Sequence, residues 1–281
     1  MVAPRESVRR PWYRRRRALL LVVAGVLVVA GGAAFVVAWS DRGAEEASLD
    51  DALRRFRDGD PAETTVIAGV QRPAAGVYSY SGEGTERLSL LGTTQDWGAT
   101  LPATVTHVEA CWTLRIDFST HHTQEWTYCP EDGALTEVAG RTSQRFDFVA
   151  VTVDDLTVFS CDPPGDVIRV DARRGDSWAQ SCTGHSDTLD TTTVSSGTNT
   201  FVGVESVDVG GRSVAAYRYR SERAISGGQT GTERSETWFA VRDGLPLRAT
   251  RSIHVESPSP LGTVTYEEEG TFALGSLSPR R

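Results

Sequence analysis

Two adjacent histidines, His121 and His122, have the residue types and spacing that come closest to a chemical site in this sequence. Asp117 and Glu125 lie nearby, and imidazole and carboxylate groups together suit zinc. Neighbouring residues on a strand point to opposite faces, however, so the two imidazoles are poorly placed to hold one ion. The sequence therefore predicts a solvated hairpin tip at these residues and no metal site.

The remaining histidines and the acidic runs do not form a pattern that indicates catalysis. His107, His185 and His254 are scattered, and the sequence has neither a G-x-S-x-G nor an H-E-x-x-H motif. The acidic runs at 154–155 and 267–269 are predicted to be a solvated turn and a solvated strand end, in preference to loose calcium sites. All 29 basic residues are Arg, which excludes Schiff-base lysine and P-loop chemistry. We therefore predict a non-enzyme without catalytic, cofactor or metal residues.

Four cysteines are the other residues with chemical potential: Cys111, Cys129, Cys161 and Cys182. Their spacings of 18, 32 and 21 residues do not suit the close pairs of a zinc site. An even number of cysteines in an oxidising compartment favours disulfides. Four cysteines allow three pairings, so the choice among them has to come from the surrounding chain.

A hairpin centred on Thr120 supplies the register that selects one pairing. It places favoured cross-strand partners opposite one another: Trp112 with Tyr128, Thr113 with Thr127, Leu114 with Trp126 and Arg115 with Glu125. A slip of one residue would destroy all of these pairs together. The same register places Cys111 opposite Cys129, so we predict that disulfide, which leaves Cys161 with Cys182.

The net charge of −8 is an average over two regions that an uncharged run separates. Residues 1–17 carry seven Arg and one acid, a local charge of +6, which leaves −14 for residues 41–281. Residues 18–39 are uncharged and mostly apolar, and as a helix they are long enough to cross the hydrocarbon core. The charge asymmetry predicts a cytoplasmic tail at 1–17, a transmembrane helix at 18–39 and an extracytoplasmic body. The alternative is a cleaved signal peptide with a small-residue site at 36–38.

Residues 40–75 predict a short juxtamembrane helix followed by a linker. Leu49, Leu53 and Phe56 follow one helical stripe, and Ser48 is a candidate N-cap.

From residue 76 to residue 275 the sequence predicts an antiparallel β domain. Short β-branched and aromatic runs alternate with turn residues, and no helical period remains. We expect a curved sheet that forms a half-barrel or open barrel of long strands, and we read 199–274 as a meander of about five. The tail 276–281 is predicted to be frayed.

A second hairpin is predicted at Asp243-Gly244, a favoured two-residue turn. This turn would place Glu236 opposite Arg251 on the neighbouring strand.

The Thr-rich composition without Lys and several long motifs resemble a family of uncharacterised actinobacterial single-pass membrane proteins. The matching stretches are GVYSYSGEGTERLSL, CWTLRIDFSTHH, WTYC and SETWFAVRDGLPLR. This resemblance covers most of 50–275 and implies the membrane topology. More weakly, the hairpin from Trp238 to Arg248 resembles those of LolA/LppX-type lipoprotein-carrier half-barrels, a resemblance that implies a curved sheet with an apolar concave face. Two helices that would plug such a sheet have no counterpart in this sequence.

These observations lead to one principal function and two alternatives. The principal prediction is a membrane-anchored extracytoplasmic β domain with a non-catalytic binding or interaction role in the cell envelope. One alternative is a carrier of lipid or another apolar ligand, and the other is a hydrolase-like enzyme. The expected partners are the membrane and either a lipid or an envelope protein. Nucleic acid is excluded because the exported body is acidic.

Overall fold

The computed structural model describes residues 44–59, 72–89, 92–147, 152–259 and 262–281. The predicted tail 1–17, the predicted transmembrane helix 18–39 and most of the predicted linker lie outside these residues. Within the described ranges, every helix is too short or too polar to cross a membrane.

One helix and thirteen strands make up the described part of the chain. In chain order they are α1 (Leu49–Asp58), β1 (Gly76–Leu88), β2 (Thr93–Asp96), β3 (Thr100–Val108), β4 (Cys111–Asp117), β5 (His122–Glu131), β6 (Ala134–Asp147), β7 (Thr152–Arg169), β8 (Ser177–Ser186), β9 (Thr191–Val209), β10 (Arg212–Gly227), β11 (Thr230–Ala240), β12 (Pro246–Ser259) and β13 (Gly262–Leu274).

The sheet closes on itself, which corrects the predicted half-barrel or open barrel. Strands β3 to β13 pair with their neighbours in sequence order, all antiparallel, and β1 then pairs with both β3 and β13. Twelve strands form the closed wall, because β2 pairs with β1 alone. We call the β1–β13 pairing the seam; it runs from Tyr80 opposite Leu274 to Leu88 opposite Tyr266.

The first hairpin forms as the sequence predicts. Strands β4 and β5 pair Trp112 with Tyr128, Thr113 with Thr127 and so on through Arg115 with Glu125. The Cys111–Cys129 disulfide joins the ends of these two strands, and the Cys161–Cys182 disulfide joins β7 to β8. The predicted meander over 199–274 is also present, as strands β9 to β13.

The second hairpin differs from the prediction. Residues 241–245 join β11 to β12, and a bulge at Trp238 shifts the register, so Arg251 lies opposite Ser235. Glu236 instead pairs with Arg218 at 2.7 Å on the outer face, whereas the Arg251 side chain points into the barrel and is 8% exposed. A shift of one residue moves a side chain to the other face, which explains why the predicted pair separates.

One end of the barrel is filled by an aromatic and aliphatic core. Tyr80, Leu101, Trp112 and Leu247 are almost completely buried there, and the Tyr80 hydroxyl donates a hydrogen bond to the carbonyl of Pro246 at 2.7 Å. Alternation along the strands turns these side chains inward. The turn residues 241–245 and the other turns at this end therefore lie over a packed core.

Helix α1 and the C-terminal tail pack on the outside of β1. The predicted stripe of α1 is confirmed: Leu53 and Phe56 are buried against Val77. The tail 276–281, predicted to be frayed, instead returns to the barrel, where the backbone of Arg280 makes hydrogen bonds of 2.8 and 2.9 Å with the backbone of Val77. β13 does not pair with this stretch of β1, so the hydrogen-bonding groups on that side are free to hold the tail in place.

Two glycines allow Trp97 to lie across the inner face of the seam. Gly84 and Gly270 are directly opposite each other on β1 and β13. A Cβ atom on either glycine would lie 2.4 Å from ring atoms of Trp97, which is a severe overlap. The seam therefore depends on the absence of side chains at these positions.

Replacing Gly270 by Ala is expected to lower the free energy of unfolding by about 1–3 kcal/mol, because the added methyl group overlaps the Trp97 ring. Urea unfolding followed by tryptophan fluorescence measures the change. The control is Glu269→Ala, an exposed position on the outer face of the same strand, which should cost less than about 0.5 kcal/mol. A Gly270→Ala protein as stable as the control would contradict this packing.

Candidate functional site

The seam carries two glutamates that face each other inside the barrel. Glu86 on β1 lies directly opposite Glu268 on β13, and neither residue is more than 1% exposed. Like charges in directly opposite positions destabilise a sheet, and a buried carboxylate is costly unless it has a partner. The closure of the barrel therefore requires positive charge at this point.

His122 brings an imidazole to this point from β5. It begins β5, it is completely buried, and its Nδ1 contacts Glu86 Oε1 directly and lies 4.0 Å from Glu268 Oε2. The imidazole stacks on Phe118 with 4.9 Å between the ring centroids, which fixes its plane. One ring nitrogen therefore faces both carboxylates of the seam.

Two further donors hold the Glu86 carboxylate. Gln95 Nε2 donates to Oε2 at 2.7 Å, and Trp97 Nε1 donates to Oε1 at 3.0 Å. Burial by itself raises the pKa of this carboxyl, but attraction to the charged form of His122 and the hydrogen bonds from His122, Gln95 and Trp97 outweigh burial. They lower the pKa of Glu86 from its ordinary value of 4.5. Glu86 is therefore held as a carboxylate inside the protein.

Arg251 and Tyr266 hold the Glu268 carboxylate. Arg251 Nε lies 2.7 Å from Oε1, and the Tyr266 hydroxyl donates to Oε2 at 2.5 Å. Burial, together with the nearby charges of Glu268 and Glu86, raises the pKa of Tyr266 well above its ordinary value, so the hydroxyl keeps the proton that it donates.

These groups belong to a row of alternating charges that crosses the barrel interior. From Arg251 the row continues to Glu233, to Arg223 directly opposite it on β10, and to Glu137, which lies 3.2 Å from Arg223. In order, the members are Glu86, His122, Glu268, Arg251, Glu233, Arg223 and Glu137. We call this set the charge row. Each buried carboxylate has a basic neighbour, which is the condition for burying charge at tolerable cost.

Beyond the charge row the barrel is hollow. A cavity of about 490 Å³, which we call the outer cavity, extends to the end of the barrel where the turns at Leu189 and Gln229 lie. Its apolar lining includes Leu88, Phe146, Ile225, Ile253, Val255 and Val264. Its floor contains Arg251 and Tyr266. The outer cavity is within the size range of small-molecule sites and has their usual mixture of apolar walls and a few polar groups.

A second, smaller cavity of about 140 Å³ lies deeper, towards the packed end; we call it the inner chamber. It adjoins the outer cavity, since the two share the lining residues Gln124, Phe159, Ser195, Glu233 and Arg251. The rest of its lining is rich in hydrogen-bonding side chains, among them Glu137, Gln180, Asn199, Ser221 and Arg223.

The residues predicted to surround a hairpin tip do not form one site. His121 points outward and lies 3.6 Å from Asp147, whereas His122 points inward, as strand alternation requires. The prediction of a solvated tip is therefore wrong for His122. Asp117 pairs with Arg115 at 2.8 Å, and Glu125 lies opposite Arg115 on the adjacent strand.

Glu268 was also misplaced by the prediction of a solvated strand end at 267–269. Its neighbours are exposed, but Glu268 itself faces inward. The period of two along β13 does predict an inward Glu268, because Val264, Tyr266 and Phe272 lie on the same face of the strand as Glu268. Of the other histidines, His107 donates a hydrogen bond from Nε2 to the Pro73 carbonyl at 2.8 Å, and it lines neither cavity.

Glu86, His122 and Glu268 together offer three ligand atoms within 4.8 Å of one another, a donor set of a kind that binds metal ions. Their carboxylates, however, already have internal partners in Arg251, Gln95 and the His122 imidazole. The geometry is that of an internally neutralised cluster.

No protein-family model matches the chain, and no curated protein matches it in sequence. Among solved structures, the chain matches the crystal structure of the hypothetical lipoprotein YmcC from Escherichia coli K12. The match has 13% sequence identity and a TM-score of 0.34, and it covers 83% of this chain and 100% of that chain. A likeness of this degree supports neither a shared fold nor a shared function. The resemblances to actinobacterial membrane proteins and to LolA/LppX-type carriers stay predictions.

Removing the imidazole that faces the seam glutamates should be strongly destabilising. We expect His122→Leu to lower the free energy of unfolding by about 3–5 kcal/mol, because two opposed carboxylates are left in the interior without it. Urea unfolding measures the loss. His121→Leu is the matched control on the outer face, where an ion pair contributes at most about 1 kcal/mol. Equal stability of the two variants would contradict the role assigned to His122.

Acid should weaken the seam through Glu86. Because the folded-state pKa of Glu86 lies below the ordinary value of 4.5, its contribution is fully present above that pH and is lost as pH falls through the folded-state value. The difference in unfolding free energy between the wild type and Glu86→Gln should therefore shrink as pH falls below 4.5. Other ion-paired carboxylates also contribute to the pH dependence of stability. Their contribution is the same in the wild type and in Glu86→Gln, so it cancels in the difference between the two proteins. A difference that is constant with pH would contradict the assignment.

Proposed function

We propose that this protein is a non-catalytic binding protein of the cell envelope that takes up an apolar or amphipathic small molecule in its barrel. The observation that carries the proposal is the outer cavity of about 490 Å³, with apolar walls and a polar floor. Burial of an acyl or similar chain against these walls gains about 25 cal/mol per Å² of apolar surface removed from water.

The cavity favours small-molecule binding over a role that uses the outer surface alone. A domain that acts only through its surface gains nothing from an internal cavity, and cavities lined by apolar side chains leave those side chains without packing partners. Phe146 and Val255 are buried yet line the cavity, so a ligand would complete their contacts. A carrier of lipid is one form of this function.

The proposed location is outside the cytoplasmic membrane, with residues 18–39 as an anchor. Two disulfides support an oxidising compartment, and the charge asymmetry around the uncharged run supports this orientation. An anchor would keep the barrel near the bilayer, which is a source of amphipathic molecules.

Filling the outer cavity should block binding without unfolding the barrel. We expect Val255→Trp to reduce labelling by a photoreactive alkyl probe at least about tenfold, because the indole occupies the space of the chain. The assay uses the full chain in membranes and locates the labelled peptides by mass spectrometry. Glu256→Trp adds the same side chain at the adjacent exposed position and should leave labelling unchanged. Equal labelling of both variants, or labelling outside the cavity strands, would refute the proposal.

A further inference from the structure

We propose that the inner chamber binds an uncharged, hydroxyl-bearing head group of an amphiphile whose chain lies in the outer cavity. This inference rests on the proposed function and adds the class and the orientation of the ligand. Three features of the inner chamber support it: hydroxyls without partners, charges that are already neutralised, and direct continuity with the apolar space.

Two serine hydroxyls that line the inner chamber are incompletely satisfied. The Oγ atoms of Ser195 and Ser221 are buried and make no hydrogen bond to any other described residue. Ser195 is 6% exposed, so bulk solvent does not satisfy it. A buried polar atom without a partner is destabilising, and native structures normally satisfy such atoms. Hydroxyl groups of a ligand can both donate to and accept from these two serines.

The charges around the chamber disfavour a charged head group of either sign. Arg223 pairs with Glu137 at 3.2 Å, and Gln180 also donates to Glu137 at 2.8 Å. Arg251 pairs with Glu268 at 2.7 Å. An incoming carboxylate would compete with Glu137 or Glu268 for an arginine, and an incoming ammonium would compete with the arginines for their carboxylates. An uncharged group leaves the charge row intact and avoids the cost of breaking a buried pair.

The continuity of the two cavities gives the orientation. Ser195 lines both of them, while Phe159 and Arg251 also lie at the junction. The apolar walls of the outer cavity lie between this junction and the end of the barrel. The head group therefore lies deepest and the chain extends towards the end of the barrel.

The test compares single-chain probes that share one acyl chain and one photoreactive diazirine next to the head. The heads are glycerol, carboxylate and trimethylammonium, and a fourth probe is the alkyl chain without a head. Each probe is offered to the full chain in membranes, and the labelled residues are mapped by mass spectrometry. We expect the glycerol probe to label residues of the inner chamber about tenfold more than either charged probe does.

Two double variants separate head-group recognition from folding. Ser195→Ala with Ser221→Ala should reduce labelling by the glycerol probe about tenfold, because both hydrogen-bonding partners of the head group are removed. The same change should leave labelling by the headless probe unchanged. Ser206→Ala with Ser213→Ala is the matched control, because these serines lie on the same two strands, β9 and β10, and bond to each other on the exposed face. This control should label like the wild type with every probe.

The outcomes distinguish this inference from the function on which it rests. Equal labelling by all heads, preference for a charged head, or a diazirine that labels the barrel end instead of the chamber overturns the inference and leaves the proposed function standing. Failure of every probe, including the headless chain, to label the cavity strands overturns both.

Discussion

Two carboxylates that must lie side by side in the interior govern this structure. Glu86 and Glu268 belong to the two strands that close the sheet, so the barrel closes only where their charges are balanced. His122 reaches them from β5, and Arg251 reaches them from β12. The pairing of β1 with β13 therefore depends on side chains from two other strands, β5 and β12. Closure of the barrel thus requires that those strands are also in place. A charge pair on the surface would impose no such condition, because water screens it.

The same charges divide the barrel into two unlike halves. On one side of the charge row, aromatic and aliphatic residues such as Trp112 and Leu247 fill the interior. On the other side the strands continue but their inward side chains do not meet across the barrel. The ladder hydrogen bonds continue along the wall of the hollow half, while the packed half supplies most of the apolar burial. The proposed ligand then occupies the space that folding leaves unfilled.

Contacts between residues that are close along the chain could be predicted from the sequence, and contacts between residues that are far apart could not. The β4–β5 register and the Cys111–Cys129 pairing could be predicted because the partners are close along the chain and complementary in type. The seam could not, because Glu86 and Glu268 are far apart in sequence and each lies among polar residues that look solvated. His122 was mistaken for a tip residue for the same reason. The period of two along β13 places Glu268 on the same face as the apolar residues of that strand. That face becomes the interior of a barrel only because the sheet closes, and the sequence pattern does not predict closure.

The seam joins the first and last long strands of the barrel, and this order has a consequence for how the chain folds. All other neighbours in the wall form as consecutive or near-consecutive strands, so they close short loops. The β1–β13 ladder closes a loop that spans nearly the whole domain and waits for the last strand to be made. Until then, β1 and the growing end of the sheet are both edges that can pair with another molecule. Glu86 lies on the β1 edge, and an inward-facing charge of this kind disfavours such pairing between copies of the unfinished barrel.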